Sequence, residues 1–198
     1  MSRRTAPRTH AEPGVLPRWV HRADRRLSGR LNEWASSAHL DSTLLRISNS
    51  ANHGGLWFVA AAGLALTGPR GRSAAVRGLL SLGLASGVAN LVAKPIFGGP
   101  RPLLAEVPAT RRLAQSPRSS SFPSGHTASA VGFATGVLLE TPGMGLLLAP
   151  LAAAVGYSRL HVGAHWVSDV AGGALIGGVL AVAGRKFVPV ILPVMTPR

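Results

Sequence analysis

The sequence contains no cysteine and is poor in charged and aromatic residues. Without cysteine the chain forms neither disulfides nor thiolate nucleophiles or metal ligands. Charged residues make up 14% of the 198 positions, well below the roughly 25% of soluble domains. Hydrophobic residues reach 46% with only 5% aromatic, so the apolar mass is mostly Ala, Leu, Val and Gly. This composition is typical of helices that pack closely in lipid.

Acidic residues are also few: seven Asp and Glu oppose 21 Lys and Arg, and the formal net charge is +14. Such a basic excess is often a sign of nucleic-acid binding. Here nine of the basic residues precede residue 47 and long apolar runs follow, so we predict no nucleic-acid partner. Arginines that flank membrane helices instead favour contacts with anionic lipid head groups.

The chain is predicted to divide into three parts. Residues 1–14 read as a disordered basic tail, in which no apolar run of a signal peptide follows the arginines. Residues 15–46 mix apolar and basic positions, and Leu27 and Trp34 fall at helical spacing. We expect an amphipathic interfacial segment there. Residues 47–198 are expected to form the membrane-embedded domain.

Five apolar runs with almost no charge follow one another in this third part. They are residues 47–69, 78–93, 124–139, 144–157 and 166–184, with a short basic turn over 69–77. Their pattern predicts an all-α, multi-pass transmembrane bundle of about five spans behind an N-terminal amphipathic helix. The runs are short against the ~20 residues that cross a bilayer, so a soluble bundle of core helices stays an alternative. Small-residue pairs favour lipid: Gly83 with Gly87, Gly132 with Gly136, and Gly173 with Gly177.

Three polar clusters interrupt the apolar pattern. They are residues 94–102, 123–126 and 158–169. Because successive membrane helices alternate in direction, all three clusters are expected at one end of the bundle. Lys94, Arg101 and Arg159 would meet there with few carboxylates to neutralise them, which favours binding of a phosphate-like anion.

The second cluster, Pro-Ser-Gly-His, is predicted to open a helix. The free backbone amides of Ser124, Gly125 and His126 are then expected to point at the same anion. Glycine at the second of these positions lets a ligand approach the backbone closely.

The shortage of carboxylates argues against a two-metal site, because only Asp169 lies firmly within the clusters. The cations would also repel a metal ion. We therefore predict metal-independent chemistry without a cofactor. The alternative is a metal held by His161 and His165, four apart on a helix, with His126 as the third ligand.

Metal-free cleavage of a phosphoester needs a nucleophile, an acid and charge stabilisation. His165 and Asp169 are four apart and share a helix face. A carboxylate on one imidazole nitrogen fixes the tautomer and leaves the other nitrogen as a nucleophile. His126, on another element beside the anion, is suited to donate a proton to the leaving oxygen. The three cations would stabilise the charge on the phosphoryl oxygens.

These residues occur in a recognisable order. The first part is Lys94 followed, after six residues, by Arg101-Pro102. The second part is Pro123-Ser124-Gly125-His126. The third part is Ser158-Arg159, then His165 after five residues and Asp169 after three more. This order resembles the three-part signature of the type 2 phosphatidic acid phosphatase and vanadium haloperoxidase superfamily, in its membrane lipid-phosphatase branch. The resemblance implies a helical bundle, metal-free phosphomonoesterase or pyrophosphatase chemistry and a phosphohistidine intermediate. Membrane members of this group have six crossings, one more than the five counted here.

The resemblance also implies a role for each signature residue. His165 would be the nucleophile, Asp169 its partner and His126 the acid. The phosphate pocket would comprise Lys94, Arg101, Ser124, Gly125 and Arg159. Outside the signature, Arg111, Arg112 and Arg118 are expected to be surface charges, and His161 is expected to line the pocket or support it.

The leading hypothesis is a membrane lipid-phosphate phosphatase whose partners are its lipid phosphate substrate and the surrounding membrane lipids. Candidate substrates are phosphatidic acid, phosphatidylglycerol phosphate, a polyprenyl (undecaprenyl) phosphate or diphosphate, and a prenyl-phospho-sugar. A haloperoxidase and a non-enzymatic scaffold or transporter are the alternatives. If residues 1–46 do not cross the membrane, the cluster side carries twelve arginines outside the signature, against six basic residues on the opposite side. Positive-inside bias then favours a site on the cytoplasmic face of the cell membrane.

Overall fold

The computed structural model describes residues 15–33, 36–115, 117 and 119–186, without the side chain of Leu104. The predicted tail over 1–14 lies outside the described residues, as do Trp34 and Arg118. Every regular element within the described ranges is helical, which confirms the all-α prediction. The α-helices there are α1 (Arg18–Glu33), α2 (Ala38–Ser50), α3 (Gly55–Leu66), α4 (Pro69–Gly87), α5 (Lys94–Phe97), α6 (Gly125–Glu140), α7 (Pro142–His161) and α8 (Val167–Gly184).

Among the described residues, three helical stretches are apolar enough and long enough to cross a membrane. They are Pro69–Phe97, Pro142–His161 and Val167–Gly184. With 12 and 16 residues, α3 and α6 fall short of the ~20 residues needed. The structure therefore supports a membrane protein, while a count of about five spans stays a prediction.

The first apolar run, residues 47–69, is not one continuous helix. After α2 ends, the chain turns over Asn52–Gly54 before α3 begins. His53 and Gly54 both have left-handed backbone conformations, with φ of 55° and 79°. A continuous helix cannot contain two such residues, so the chain changes direction here.

The predicted basic turn over residues 69–77 is wrong, because these residues form the first two turns of α4. Pro69 suits the first position of a helix, where its missing N–H costs no hydrogen bond. Arg77 is buried, and its Nε lies 2.7 Å from the carboxylate of Glu140 on α6. The helix can therefore include this basic stretch, because Arg77 is paired with Glu140 inside the bundle.

A π-helical segment, Val88–Ala93, joins α4 to α5 and leads directly to Lys94. Pro95 follows in the next turn, where its ring would clash with the carbonyl of Leu91 in a regular α-helix. The wider π turn relieves that clash and lets the long helix continue. π-Helical turns are rare in proteins overall, and those that occur often lie at functional sites.

The central helix of the bundle is α6, which contacts α4, α7 and α8 most extensively. Gly132 and Gly136 lie against α4, where a Cβ on Gly136 would be 2.6 Å from Ser81 Oγ. Gly173 and Gly177 of α8 lie against α6 in the same way. Close packing at Gly83 and Gly87 is not found, since an added Cβ would meet no described atom within 4 Å.

The predicted amphipathic segment contains α1, which packs against α7 and α8. Buried Asp24 accepts hydrogen bonds from the backbone N–H and the hydroxyl of Ser168, at 3.0 and 2.6 Å. A carboxylate suits the positive end of the α8 dipole. This contact ties α1 to the end of α8 that carries Asp169.

The packing of α6 on α4 predicts opposite effects for two glycine substitutions. Gly136→Ala should lower the free energy of unfolding by about 1–3 kcal/mol, because the new methyl group overpacks the contact with Ser81. Gly83→Ala should be neutral or stabilise by about 0.5–1 kcal/mol, because its surroundings are open and alanine favours helix. Thermal unfolding in detergent measures both. Equal effects of the two substitutions would contradict this packing.

Candidate active site

The three polar clusters meet in the structure around one cavity of about 440 Å³. Six of the eight predicted site residues line it: Lys94, Arg101, Gly125, His126, Arg159 and His165. Ser124 and Asp169 are buried, with exposed fractions of 0% and 1%, and do not line it. The start of α5, the start of α6, the end of α7 and the connection to α8 therefore converge as the sequence predicts.

His165 is oriented by Asp169, one helical turn away at the start of α8. The distance from His165 Nδ1 to Asp169 Oδ2 is 3.3 Å. The same Oδ2 accepts hydrogen bonds from the backbone N–H of Trp166, at 2.8 Å, and from the hydroxyl of Ser121. With Nδ1 engaged by the carboxylate, the lone pair of His165 lies on Nε2, on the side of Arg101.

The electrostatic surroundings of His165 favour its neutral form. Burial is the largest effect and lowers the pKa of His165 to about 4. The hydrogen bond to Asp169 acts in the opposite direction, and the charge of Arg101 adds to the effect of burial. The imidazole is therefore unprotonated near neutral pH, as a nucleophile has to be.

Arg101 is the cation nearest to the free nitrogen of His165. Its Nη1 lies 3.4 Å from His165 Nε2 and also donates to the carbonyl of Ala164. Its Nε donates to the carbonyl of Ser119 at 3.0 Å, and Lys94 Nζ lies 3.3 Å from the hydroxyl of the same serine. Ser119 thereby holds two cations side by side.

Arg159 is buried, with an exposed fraction of 1%. Its Nη1 donates to the hydroxyl of Ser48 on α2, and its Nε has no hydrogen-bond partner among the described residues. Within the same residues, no carboxylate forms an ion pair with Lys94, Arg101 or Arg159. Buried unpaired charge is costly, so this arrangement favours an anionic ligand.

Ser124 does not offer a free amide to this ligand. Its N–H donates to the backbone carbonyl of Asp169 at 2.9 Å, and its hydroxyl accepts from the N–H of Thr127 as the N-cap of α6. That part of the prediction is wrong, because the start of α6 is bonded to α8. Gly125 does line the cavity, and a Cβ there would lie 2.7 Å from Asn90 Oδ1.

His126 lines the cavity on the side of the α2–α3 turn, and its Nε2 is 2.9 Å from Asn52 Oδ1. Asn52 and Ser48 were not identified from the sequence, because nothing in their spacing distinguishes them. Ser119 and Ser121 were also missed, although the run of three serines just before the Pro-Ser-Gly-His cluster was a usable signal.

His161 is not among the residues that line the cavity. It belongs to a second buried cluster, in which its Nε2 lies 2.8 Å from Asp41 Oδ1. Arg111 Nε is 3.2 Å from the same oxygen, and Thr110 donates to the other carboxylate oxygen at 3.0 Å. The expectation that Arg111 is a surface charge is therefore wrong, since this ion pair buries it.

No group of three or more His, Asp or Glu side chains is arranged to hold a metal ion within the described residues. His161 pairs with Asp41 and His165 with Asp169, so the two histidines do not share a ligand. The metal-free mechanism stays a prediction.

Comparison with known proteins places this geometry in a family. The family model described as the PAP2 superfamily matches residues 74–191, more than half of the chain. This chain belongs to the PAP2 superfamily. The matched range contains all eight residues predicted for the site.

Undecaprenyl-diphosphatase BcrC of Bacillus subtilis (strain 168) is 28% identical to this chain over 111 residues. The match covers 56% of this chain and 56% of that protein, so the chain spans about half the length of this relative.

Two solved structures share the fold. The crystal structure of Aquifex aeolicus LpxE matches with a TM-score of 0.66 and 26% identity, over 82% of this chain and 94% of that one. The crystal structure of a transmembrane PAP2-type phosphatidylglycerolphosphate phosphatase from Bacillus subtilis matches with a TM-score of 0.65 and 21% identity, over 89% of this chain and 90% of that one. The second likeness, at lower identity, supports the fold alone.

The unpaired cations predict that inorganic phosphate stabilises the folded protein. At a concentration of ten times its Kd, phosphate should increase the free energy of unfolding by about 1.4 kcal/mol. The unfolding temperature should then be higher in phosphate than in chloride of equal ionic strength. Arg101→Gln should remove most of this gain. Arg112→Gln is the matched control, because Arg112 is exposed and donates to the Val107 carbonyl. An equal gain in chloride, or in Arg101→Gln, would refute anion binding at this cavity.

Proposed function

We propose that this chain is an integral-membrane lipid-phosphate phosphatase, which hydrolyses a phosphomonoester resembling phosphatidic acid through a metal-independent phosphohistidine mechanism. One observation carries the proposal: three unpaired cations line a single cavity together with His126 and His165, and Nδ1 of His165 is bonded to the buried carboxylate of Asp169. Membership of the PAP2 superfamily supports the same chemistry.

In the first step, His165 Nε2 attacks phosphorus while the bond from phosphorus to the leaving oxygen breaks. The departing oxygen takes a proton from the imidazolium of His126. Asp169 keeps the proton on His165 Nδ1 and stabilises the positive charge that the attack creates on this ring. Arg101, beside Nε2, would hold a phosphoryl oxygen close to the attacking nitrogen.

In the second step, water attacks the phosphohistidine and the P–N bond breaks. His126, now neutral, accepts the proton that the water loses. Inorganic phosphate leaves, and both imidazoles return to their starting protonation states. Lys94 and Arg159 stabilise the equatorial oxygens in both steps.

A lipid substrate fits the surroundings of the cavity. Phe58 and Leu82 line it beside the polar groups, and Phe58 is 57% exposed on the outside of the bundle. A head group can therefore reach the cations while its acyl chains remain in the bilayer. We place α1 at the membrane interface, where Trp19 and Leu27 are exposed at 66% and 42%.

A polyprenyl diphosphate is the second candidate substrate, because the matched region resembles an undecaprenyl-diphosphatase. The same nucleophile and cations would act on the terminal phosphorus, and polyprenyl phosphate would be the leaving group. The ratio of kcat/KM for a short-chain phosphatidate to that for undecaprenyl diphosphate separates the two. A prenyl-phospho-sugar belongs in the same substrate panel.

Replacing the nucleophile tests the mechanism. His165→Ala should lower phosphate release from dioctanoyl phosphatidate, measured with EDTA present, by at least about 1,000-fold, because no other group forms the covalent intermediate. His39→Ala is the control, since His39 is exposed on α2. Wild-type activity in His165→Ala would disprove the nucleophile. A folded wild-type protein that releases phosphate from no substrate of the panel without added metal would overturn the proposed function in favour of a scaffold or transporter.

The cavity end of this multi-pass protein is proposed to face the cytoplasm of the cell, because the larger share of arginines lies there. The chain has no cysteine, so single cysteines report accessibility directly. Gln115→Cys lies in the exposed loop near the cavity, and Gly143→Cys lies at the opposite end, where an added Cβ meets no described atom within 4 Å. An impermeant maleimide should label only Gly143→Cys in spheroplasts. The reverse pattern would place the site outside.

A further inference from the structure

One side chain outside the signature contacts the proposed acid. Asn52 lies in the turn between α2 and α3, and its Oδ1 is 2.9 Å from His126 Nε2. Within the described part of the chain, no other side chain lies within hydrogen-bonding distance of this imidazole. The cavity is lined by cations, and the side chain bonded to the histidine that has to carry a proton is a neutral amide.

We propose that Asn52 is a positioning residue that holds His126 in the orientation and protonation state of a general acid. This inference rests on the proposed phosphatase activity. It assigns a role to a residue that the three-part signature does not include.

The chemistry of the amide group explains the choice of residue. An asparagine side-chain oxygen accepts hydrogen bonds and does not titrate near neutral pH, so the proton of this contact stays on His126 Nε2. The imidazolium carries a second N–H on Nδ1. Burial of the ring, followed by the charges of Arg159, Lys94 and Arg101, disfavours that charged form. The dipole of the Asn52 carbonyl acts in the opposite direction.

The proton transfer then proceeds from the other nitrogen. The Nδ1–H bond of His126 breaks and the leaving oxygen gains that proton. The ring becomes neutral, and its Nε2–H continues to donate a hydrogen bond to Asn52 Oδ1. When water attacks the phosphohistidine, Nδ1 takes the proton back. The hydrogen bond to Asn52 persists through both steps and keeps the ring from rotating away.

The turn that carries Asn52 is shaped and anchored. Ala51, His53 and Gly54 line the cavity beside it. A left-handed conformation at His53 costs free energy in a non-glycine residue and persists only when the surroundings enforce it. On the far side of the turn, the ring of buried Trp57 packs on Phe133 of α6 with 5.1 Å between centroids. The start of α3 is thereby anchored on α6, which restricts the turn that carries Asn52.

The test compares two leaving groups. Dioctanoyl phosphatidate releases an alkoxide and needs an acid, whereas p-nitrophenyl phosphate releases a stable phenolate and does not. Asn52→Leu should lower kcat for phosphatidate about 10- to 100-fold, because general acids contribute about 100-fold or more. Its KM for phosphatidate and its rate with p-nitrophenyl phosphate should both stay within about 3-fold of the wild-type values. Asn52→Asp keeps an acceptor oxygen and should retain kcat for both substrates within about 3-fold.

Two further variants make the result specific. Asn49→Leu, on an exposed position of α2, should match the wild type with both substrates. Asn52→Ala, which removes the acceptor without adding bulk, should repeat the Asn52→Leu result if that variant folds poorly. Equal losses with both substrates, a loss in Asn52→Asp as large as in Asn52→Leu, or no loss in Asn52→Leu and Asn52→Ala would each overturn the proposal.

His126→Gln distinguishes failure of this inference from failure of the proposed mechanism. If His126→Gln loses phosphatidate activity selectively and the Asn52 variants do not, only the role of Asn52 is wrong. If His126→Gln shows no dependence on the leaving group, His126 is not the acid. If the wild type hydrolyses neither substrate, the proposed function is wrong and this inference is overturned with it.

Discussion

Asp169 is the residue through which the parts of the site are joined. One of its carboxylate oxygens accepts hydrogen bonds from His165, from the N–H of Trp166 and from Ser121, and its backbone carbonyl accepts from Ser124. These bonds link the α7–α8 connection, the serine run and the start of α6. The carboxylate that sets the tautomer of the proposed nucleophile thus also fixes the helix ends around it. Its position in the first turn of α8 adds the favourable field of the helix dipole.

Around this centre the protein concentrates positive charge with little to offset it. Three of the described carboxylates are engaged elsewhere: Asp41 with His161, Glu140 with Arg77, and Asp24 with the start of α8. The cavity cations are held instead by neutral oxygens, from Ser48, Ser119 and backbone carbonyls. Neutral acceptors fix the directions of the guanidinium and ammonium groups without cancelling their charge. The site is therefore organised for an anion before the anion arrives.

Sequence patterns predicted which segments converge better than they predicted where the helices begin and end. Lys94, His126 and His165 were brought together correctly, because alternating helix direction puts their segments at one end. The helix boundaries were less well predicted, since a charge-free run does not reveal a left-handed residue such as His53, and a basic stretch such as 69–77 can begin a helix when one arginine is paired. Contacts between distant segments, such as that of Asn52 with His126, carry no local pattern. They depend on how α2 and α3 pack, which hydropathy does not encode.

The lengths of α3 and α6 have a consequence for the surrounding bilayer. With 12 and 16 residues, they extend about 18 and 24 Å along their axes, whereas the hydrocarbon core is about 30 Å thick. If α3 crosses the bilayer as the five-span prediction requires, this mismatch would be relieved when lipids thin the bilayer or move their polar groups deeper next to the short helix. Because Phe58 of α3 borders the cavity, that thinning would occur on the side where a lipid approaches. The protein would then draw the phosphate inward by deforming the membrane, and the lipid would travel a shorter distance out of the leaflet.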